Sequence, residues 1–279
     1  MVDRLTVGNV EIGAALDMIP PPRHPRDFFP DVAMTQWAPY EDEALVEGHL
    51  QLYYGHFFVR SQGKTIMVDT GMGPGPHPTR DNRRGDLLNQ LVRVGVNAED
   101  VDIVVHTHLH ADHVGWNLDL SGAKPKPYFP NATYLVPRTD WEHFSKPENL
   151  KAAPWVRDSV VPLEELGLMD LFDSEHDITA EVTTLATPGH TPGHQVILVN
   201  SGGQKAMIVG DVLHTRVQVQ ESSWCAGVDT NKADSARSRE DLLKRAVDES
   251  YIVAAGHFHP DEHVGRVIMM KGRRYWQPL

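Results

Sequence analysis

The chain is nearly without cysteine: Cys225 is the single one in 279 residues. No internal disulfide can form, which excludes the disulfide-stapled folds of small secreted proteins and makes a reducing setting the expectation. Long apolar runs are missing as well, none approaching the ~18 residues of a membrane-spanning helix. The opening Met-Val-Asp-Arg-Leu-Thr-Val-Gly does not place an apolar stretch behind a basic one, as a secretory leader would. The expected location is therefore the cytoplasm. Positive charge is also scarce, with 26 Lys and Arg against 38 Asp and Glu and a net charge of −12. Such a field repels phosphate backbones and anionic lipid, so neither nucleic acid nor a membrane is an expected partner. Low-complexity segments, short-period repeats and a clear interdomain linker are all lacking. The chain reads as one domain over 1–279, and 41% hydrophobic residues supply a sizeable core.

The order of elements is legible from alternation and turn residues. Residues 4–16 alternate around Gly8-Asn9 and predict a strand or hairpin. The stretch 17–45 carries Pro20, Pro21, Pro22, Pro25, Pro30 and Pro39 together with Phe28, Phe29, Trp37 and Tyr40. It reads as a packed lid without regular structure, its aromatics forming an apolar wall for a substrate. It could equally cover a neighbouring copy, which leaves a homodimer open. Residues 50–59 and 64–69 predict a hairpin turned at Ser61-Gln62-Gly63. A helix around 87–92 follows, then strands at 101–105 and 132–136 and a short helix over 139–145 capped by Thr139. Strands are predicted at 182–186, 195–200, 206–209 and 251–255, with a last hairpin at 264–270 and 273–276. A charged helix over about 234–248 packs Leu242, Leu243, Ala246 and Val247 on one face.

Histidine is abundant, at 16 residues, and its placement matters more than its number. His106-Thr107-His108-Leu109-His110-Ala111-Asp112-His113 follows directly on the apolar run 101–105. Imidazole nitrogens and a carboxylate oxygen suit zinc and similar divalent ions. His108 and His110, two apart, point to one side of an extended segment. Asp112 and His113 would diverge on a strand but can converge on a second ion where the chain turns into a helix. The spacing therefore suggests two metals. Three later strands run into residues of the same type: Thr187-Pro188-Gly189-His190, Gly210-Asp211-Val212-Leu213-His214, and Gly256-His257-Phe258-His259. Glycine beside each donor fits close backbone approach to a shared site. Asp69, closing the apolar run 66–68, is either a turn residue or an acceptor for a ligand histidine.

His-x-His-x-Asp-His at 108–113, Pro-Gly-His at 188–190, Asp211, Gly-His at 256–257 and Asp69-Thr70-Gly71 together resemble the metallo-beta-lactamase superfamily. The resemblance runs from about residue 50 to 260. It implies an α/β fold, a four-layer αββα sandwich of two mixed sheets, with a two-metal site at one edge. It also implies that His108, His110 and His190 hold one ion, that Asp112, His113 and His257 hold the other, and that Asp211 bridges them. His259 competes with His257, but the Gly-His pattern favours His257. His106 is read as supporting or packing, and His194 as a support for the loop after His190. The ions would be zinc, with manganese, cobalt or iron as alternatives.

Within the superfamily, Asp211 argues against a true beta-lactamase, since those enzymes lack the bridging carboxylate and Cys225 lies too far downstream to replace it. The acidic charge argues against the nucleases of this fold. The strand-like last twenty residues argue against the glyoxalase type, and the complete ligand set against the single-iron persulfide dioxygenases. His214 stands where the acyl-homoserine lactonases of the family place a tyrosine. It could donate to a developing oxyanion or protonate a leaving alkoxide, or simply bond backbone beside the site. The histidine points toward the methyl-parathion-hydrolase-like and broader lactonase and esterase branches. The expected activity is hydrolysis of a small neutral ester or lactone by a metal-bridging hydroxide, with Asp112, Asp211 and His214 as the catalytic residues. The alternatives are a phosphotriesterase-like organophosphate hydrolase and, in a different class, an iron-dependent oxidoreductase. The segment 215–220 would form the wall opposite the aromatics.

Overall fold

Apolar residues at every second position make a strand with one buried face on each side of the sheet, and β-branched residues fill such positions well. The computed structural model, which describes residues 4–279, turns these runs into two seven-stranded sheets. In the first, the strands follow chain order: β1 (Arg4–Val7), β2 (Val10–Met18), β3 (Tyr54–Ser61), β4 (Lys64–Val68), β5 (Ile103–Val105), β6 (Thr133–Pro137) and β7 (Met169–Phe172). The second also keeps chain order: β8 (Asp177–Thr179), β9 (Val182–Ala186), β10 (Gln195–Ser201), β11 (Gln204–Ile208), β12 (Ile252–Ala254), β13 (Val264–Met270) and β14 (Arg273–Pro278). Both are mixed. β4, β5, β6 and β7 pair in parallel, as do β11 and β12, and the remaining neighbours are antiparallel.

The two sheets bury one apolar layer between them, with Phe57, Val59, Ile66, Val68 and Val105 facing Ile197, Val199, Ile208 and Ala254. The alternate residues of the same strands face outward. Phe58, Met67 and Val104 pack under Leu87 and Leu91 of the helix Leu87–Arg93. Val196, Leu198 and Met207 pack under Leu242, Leu243 and Ala246 of the helix Lys232–Asp248. Helix, sheet, sheet and helix therefore stack in the four layers that the resemblance implied. Among the described residues no helix is long and apolar enough to cross a membrane.

The structure departs from the sequence reading in several elements, including the unanticipated strands β7 and β8. The segment 17–45 is not irregular, since Pro25–Phe28, Met34–Trp37 and Glu41–Ala44 are short helices. Phe28, Phe29, Trp37 and Tyr40 pack with Leu50, Leu52, Val217 and Trp224 in a core of their own, from which Phe28 also reaches the cavity over the site. Thr139 caps nothing: the helix Arg138–Phe144 starts after Pro137 and has no side-chain cap. The helices Pro147–Ala152, Pro154–Ser159 and Val161–Glu165 were not anticipated. A proline in the first turn of each was the available signal, because that position needs no N–H donor.

The strand ends of the two sheets touch close to the site. Gly55 at the start of β3 donates its N–H to the carbonyl of Gly256, just after β12, at 3.0 Å. A Cβ on Gly256 would fall 2.1 Å from the Gly55 carbonyl oxygen, so only glycine permits the approach. This contact brings His56 and His257 from opposite sheets to the same seam.

Candidate metal centre

The donors gather where the strand ends of the two sheets converge. The chain leaves β5 extended, with His110 at φ −79° and ψ 164°, and then turns into the short helix Ala111–Val114. That change of backbone lets His108 and His110 face one side while Asp112 and His113 turn to the other. Gly210 sits at φ 51°, and a side chain there would press 2.7 Å from Nε2 of His194. Glycine is thus needed to deliver Asp211 into the cluster.

Asp211 divides its two oxygens between two sets of donors. Oδ2 lies 3.2 Å from Nε2 of His190 and 3.8 Å from Nε2 of His108. Nδ1 of His110 lies 2.8 Å from Nε2 of His190, so these residues form one group. Oδ1 lies 3.1 Å from Nε2 of His113 and 3.0 Å from Nε2 of His257. Oδ1 of Asp112 stands 3.9 Å from Nε2 of His113 and completes the second group. Every residue that the sequence put forward as a ligand lies in one group or the other, with Asp211 between them. Nε2 of His108 is buried without a hydrogen-bond partner among the described residues. An orphaned buried nitrogen is costly unless a cation takes up its lone pair, so the residues fit a pair of divalent ions.

In three of the rings the opposite nitrogen is held by a fixed acceptor, the usual way of orienting a ligand histidine. Nδ1 of His113 lies 2.8 Å from Oδ2 of Asp69, which also accepts from the hydroxyl of Thr107 at 2.7 Å. Asp69 is therefore an acceptor for a candidate ligand, the second of the two readings open for it. Nδ1 of His190 lies 2.7 Å from Oδ1 of Asp229, and Nδ1 of His257 lies 2.8 Å from the carbonyl of Tyr53. Asp229 was missed; its only sequence signal was a carboxylate shortly before the helix Lys232–Asp248. His194 is structural, but its side chain bridges other segments than the loop after His190: it accepts the N–H of Asp211 at 3.0 Å and lies 2.8 Å from the Thr187 hydroxyl. His106 lies 3.1 Å from the Asn117 amide and packs beneath the cluster. His259 is exposed, stacks edge-on against Tyr53 and stays outside both groups. His56, given no role from sequence, is buried edge-on against His113.

The electrostatics ask for positive charge. Burial disfavours the Asp211 carboxylate, but His257, His113, His108 and His190 outweigh it and hold the group ionised well below the usual range. Burial lowers His190 too, yet Asp211 and Asp229 push it up to about 9. His110 is lowered by burial and by neighbouring His190 to about 3, which keeps its lone pair free at neutral pH. Carboxylates that retain protons on neighbouring histidines bind metal ions in competition with those protons.

Above the cluster lies a cavity of about 240 Å³ lined by Phe28, Leu52, Tyr54, Trp155 and Val228, with Arg23 and Arg80 at its side. The expected apolar wall is thus supplied by Phe28 alone among the four aromatics. Of the segment 215–220, Val217, Gln218 and Val219 are buried, while Thr215 and Arg216 line an adjoining groove that shares His214 and His257 with the cavity. His214 lies at the floor of the cavity. Its Nε2 is 3.2 Å from Oδ2 of Asp211, its ring stacks on His257 at 5.2 Å, and its Nδ1 has no partner.

Residues 57–257 match the family profile of the metallo-beta-lactamase superfamily. The N-acyl homoserine lactonase AttM of Rhizobium radiobacter is 30% identical over 188 residues, 64% of this chain and 66% of that protein. The match thus spans slightly less than two thirds of that relative's length. The N-acyl homoserine lactonase AiiA of Bacillus thuringiensis subsp. kurstaki is 26% identical over 247 residues, covering 81% of this chain and 90% of its own. Among solved structures, the dizinc quorum-quenching lactonase AidC superimposes with a TM-score of 0.86 at 22% identity, covering 99% of this chain and 96% of that one. The hydrolase AbOPH does so with a TM-score of 0.85 at 23% identity and the same coverage. With its two mixed sheets and a family match over most of its length, the chain belongs to the metallo-beta-lactamase superfamily.

Proposed function

We propose that this protein is a metal-dependent hydrolase that opens lactones or cleaves small esters at a two-ion centre. The observation that carries the proposal is the division of Asp211, with Oδ2 toward His108 and His190 and Oδ1 toward His113 and His257. When bound, two divalent ions, zinc in the first instance, supply an activated water nucleophile and a Lewis acid for the carbonyl. His108, His110 and His190 would hold one, Asp112, His113 and His257 the other, and Asp211 both. Asp69, Asp229 and the Tyr53 carbonyl keep the ligand rings in place. His214 is lowered by burial to about 4 and is therefore a neutral imidazole at pH 7. The N–H that can reach a developing oxyanion or a leaving alkoxide is the one on Nε2, beside Oδ2 of Asp211 at 3.2 Å. Phe28, Leu52 and Trp155 exclude water from the space where the acyl group would lie. The named activity of the lactonase relatives supports the same reading.

The test is proton release by metal-replete protein given a plain aliphatic lactone, beside a neutral aryl phosphotriester, with metal content measured on the same sample. Faster lactone opening, two zinc equivalents and loss of turnover in Asp211→Ala are expected. Preferential phosphotriester cleavage would move the protein to the organophosphate-hydrolase reading. Iron as the resident metal with no hydrolysis would favour an oxidoreductase.

A further inference from the structure

Arg23 and Arg80 line the cavity whose floor holds His110, Asp112, Asp211 and His257. Both are half-buried. Arg138, Arg157 and Arg216 each meet a carboxylate, but Arg23 and Arg80 have no such partner among the described residues. Arg80 is anchored by neutral acceptors. Its Nε donates to the Tyr54 hydroxyl at 3.0 Å and its Nη1 to the Thr79 carbonyl at 3.1 Å, which leaves Nη2 unengaged. Among the described residues Arg23 makes no side-chain hydrogen bond, and its guanidinium lies over the Phe28 ring at 5.6 Å from the centroid. Stacking orients a guanidinium while leaving its N–H edge free.

This placement needs a reason. Two divalent ions held by Asp112, Asp211 and neutral histidines leave the cavity floor positively charged. Two further cations in the same half-enclosed space repel the ions and each other, and no protein carboxylate offsets them. In a chain of net charge −12, carboxylates to pair with them were abundant. The missing partner is an anion brought by the ligand. The rest of the lining, Phe28, Leu52, Trp155 and Val228, is apolar. In about 240 Å³ shared with the scissile ring, a carboxylate fits the planar guanidinium fork in the least space.

We propose that Arg23 and Arg80 form a carboxylate subsite, and that the preferred substrate is a lactone or ester that itself bears a carboxylate. The proposal rests on the hydrolase reading and narrows it, because the sequence pointed to a neutral substrate. The experiment compares γ-butyrolactone-γ-carboxylate with its carboxamide, which matches it in shape and differs in charge. Metal-replete wild type is expected to favour the carboxylate in kcat/KM by about tenfold or more, the size of hydrogen bonds to a charged group. In the Arg23→Met/Arg80→Met double variant the ratio should fall toward unity, and Arg→Lys at both positions should keep part of it. The ratio cancels any loss of folded or metal-loaded protein. A wild-type ratio near unity would overturn the subsite. So would a preference that persists in the double variant, because it would place the carboxylate on the metals instead. If neither lactone is opened, the hydrolase reading is what fails, and calorimetric binding of the same two compounds decides the subsite. Tighter carboxylate binding that is lost in the double variant supports it, and equal or absent binding overturns it.

Discussion

Asp140 ties together the two loops that carry His110 and His190. Its Oδ2 accepts the N–H of Leu109 at 3.1 Å and the hydroxyl of Thr191 at 2.8 Å, while Oδ1 accepts the N–H of Gly193 at 2.6 Å. Replacing it by alanine removes no ligand but releases both loops. Asp140→Ala should weaken metal binding by about 10- to 100-fold, as such supporting contacts do. Competition against a chelating dye would measure it, and an unchanged affinity in a folded variant would sink the idea. His194 allows a test by pH. Burial lowers it to about 3, against about 6.5 in the unfolded chain. Because its folded value is the lower one, its contribution is complete above about pH 6.5 and is lost as pH falls toward 3. His194→Gln keeps an acceptor for the Asp211 N–H, so in that variant the acid-side slope should be shallower, by about 1 kcal/mol per pH unit on average between pH 5 and 7. Urea midpoints between pH 5 and 7 would show it. At this scale the sequence displayed the donors because they cluster in eight residues or follow glycine at strand ends. It could not display Asp140 or Asp229, whose partners are 31 to 53 and 39 residues away.

Among the elements, alternation revealed nearly every strand of the sandwich, because each buries apolar side chains on both faces of a pleated sheet. The segment 17–45 defeated that reading for a physical reason. Its prolines break any long period, but they also start short helical turns, and the aromatic residues between them are core rather than wall. Trp37 is 1% exposed and packs against Trp224, ring centroids 4.7 Å apart and tilted by 56°. The segment is pinned to the loop that follows His214 through this contact and through Gly227, which donates its N–H to the Phe28 carbonyl at 2.7 Å. Trp37→Ala should cost about 3–5 kcal/mol, the usual price of emptying such a site. Because Phe28 leaves the same segment to touch His214 at 4.9 Å, the variant should also lose substrate affinity before it loses metal. Limited proteolysis within 20–46, together with KM and metal content, would check this. Equal protease resistance to wild type would show that the segment is held by something else.

For the molecule as a whole, the site is a seam between its two halves. His108, His110, Asp112 and His113 come from the first sheet's side, and His190, Asp211 and His257 from the second. Beyond the shared apolar layer, backbone pairs such as Gly55 to Gly256 and Gln195 to Thr107 join the halves beside the site, and the donors meet across the seam between them. Ions held here would cross-link the halves, and binding that requires the folded geometry adds RT ln(1 + [M]/Kd) to stability. At a free metal concentration a thousandfold above Kd, that is about 4 kcal/mol for each ion. Chelation should therefore lower the urea midpoint strongly, and readdition of zinc should restore it in a concentration-dependent way. Asp211→Ala separates this linkage from a general effect of chelator. It removes the carboxylate shared by both donor sets, so its midpoint should respond to zinc far less than that of wild type. A variant stabilised by zinc as much as wild type would mean that the ions sit elsewhere, or that each half binds its own without the bridge. A wild type indifferent to chelation would mean that the apolar layer alone holds the halves together, and that the donors across the seam are preorganised by Asp69, Asp140 and Asp229 before any ion arrives.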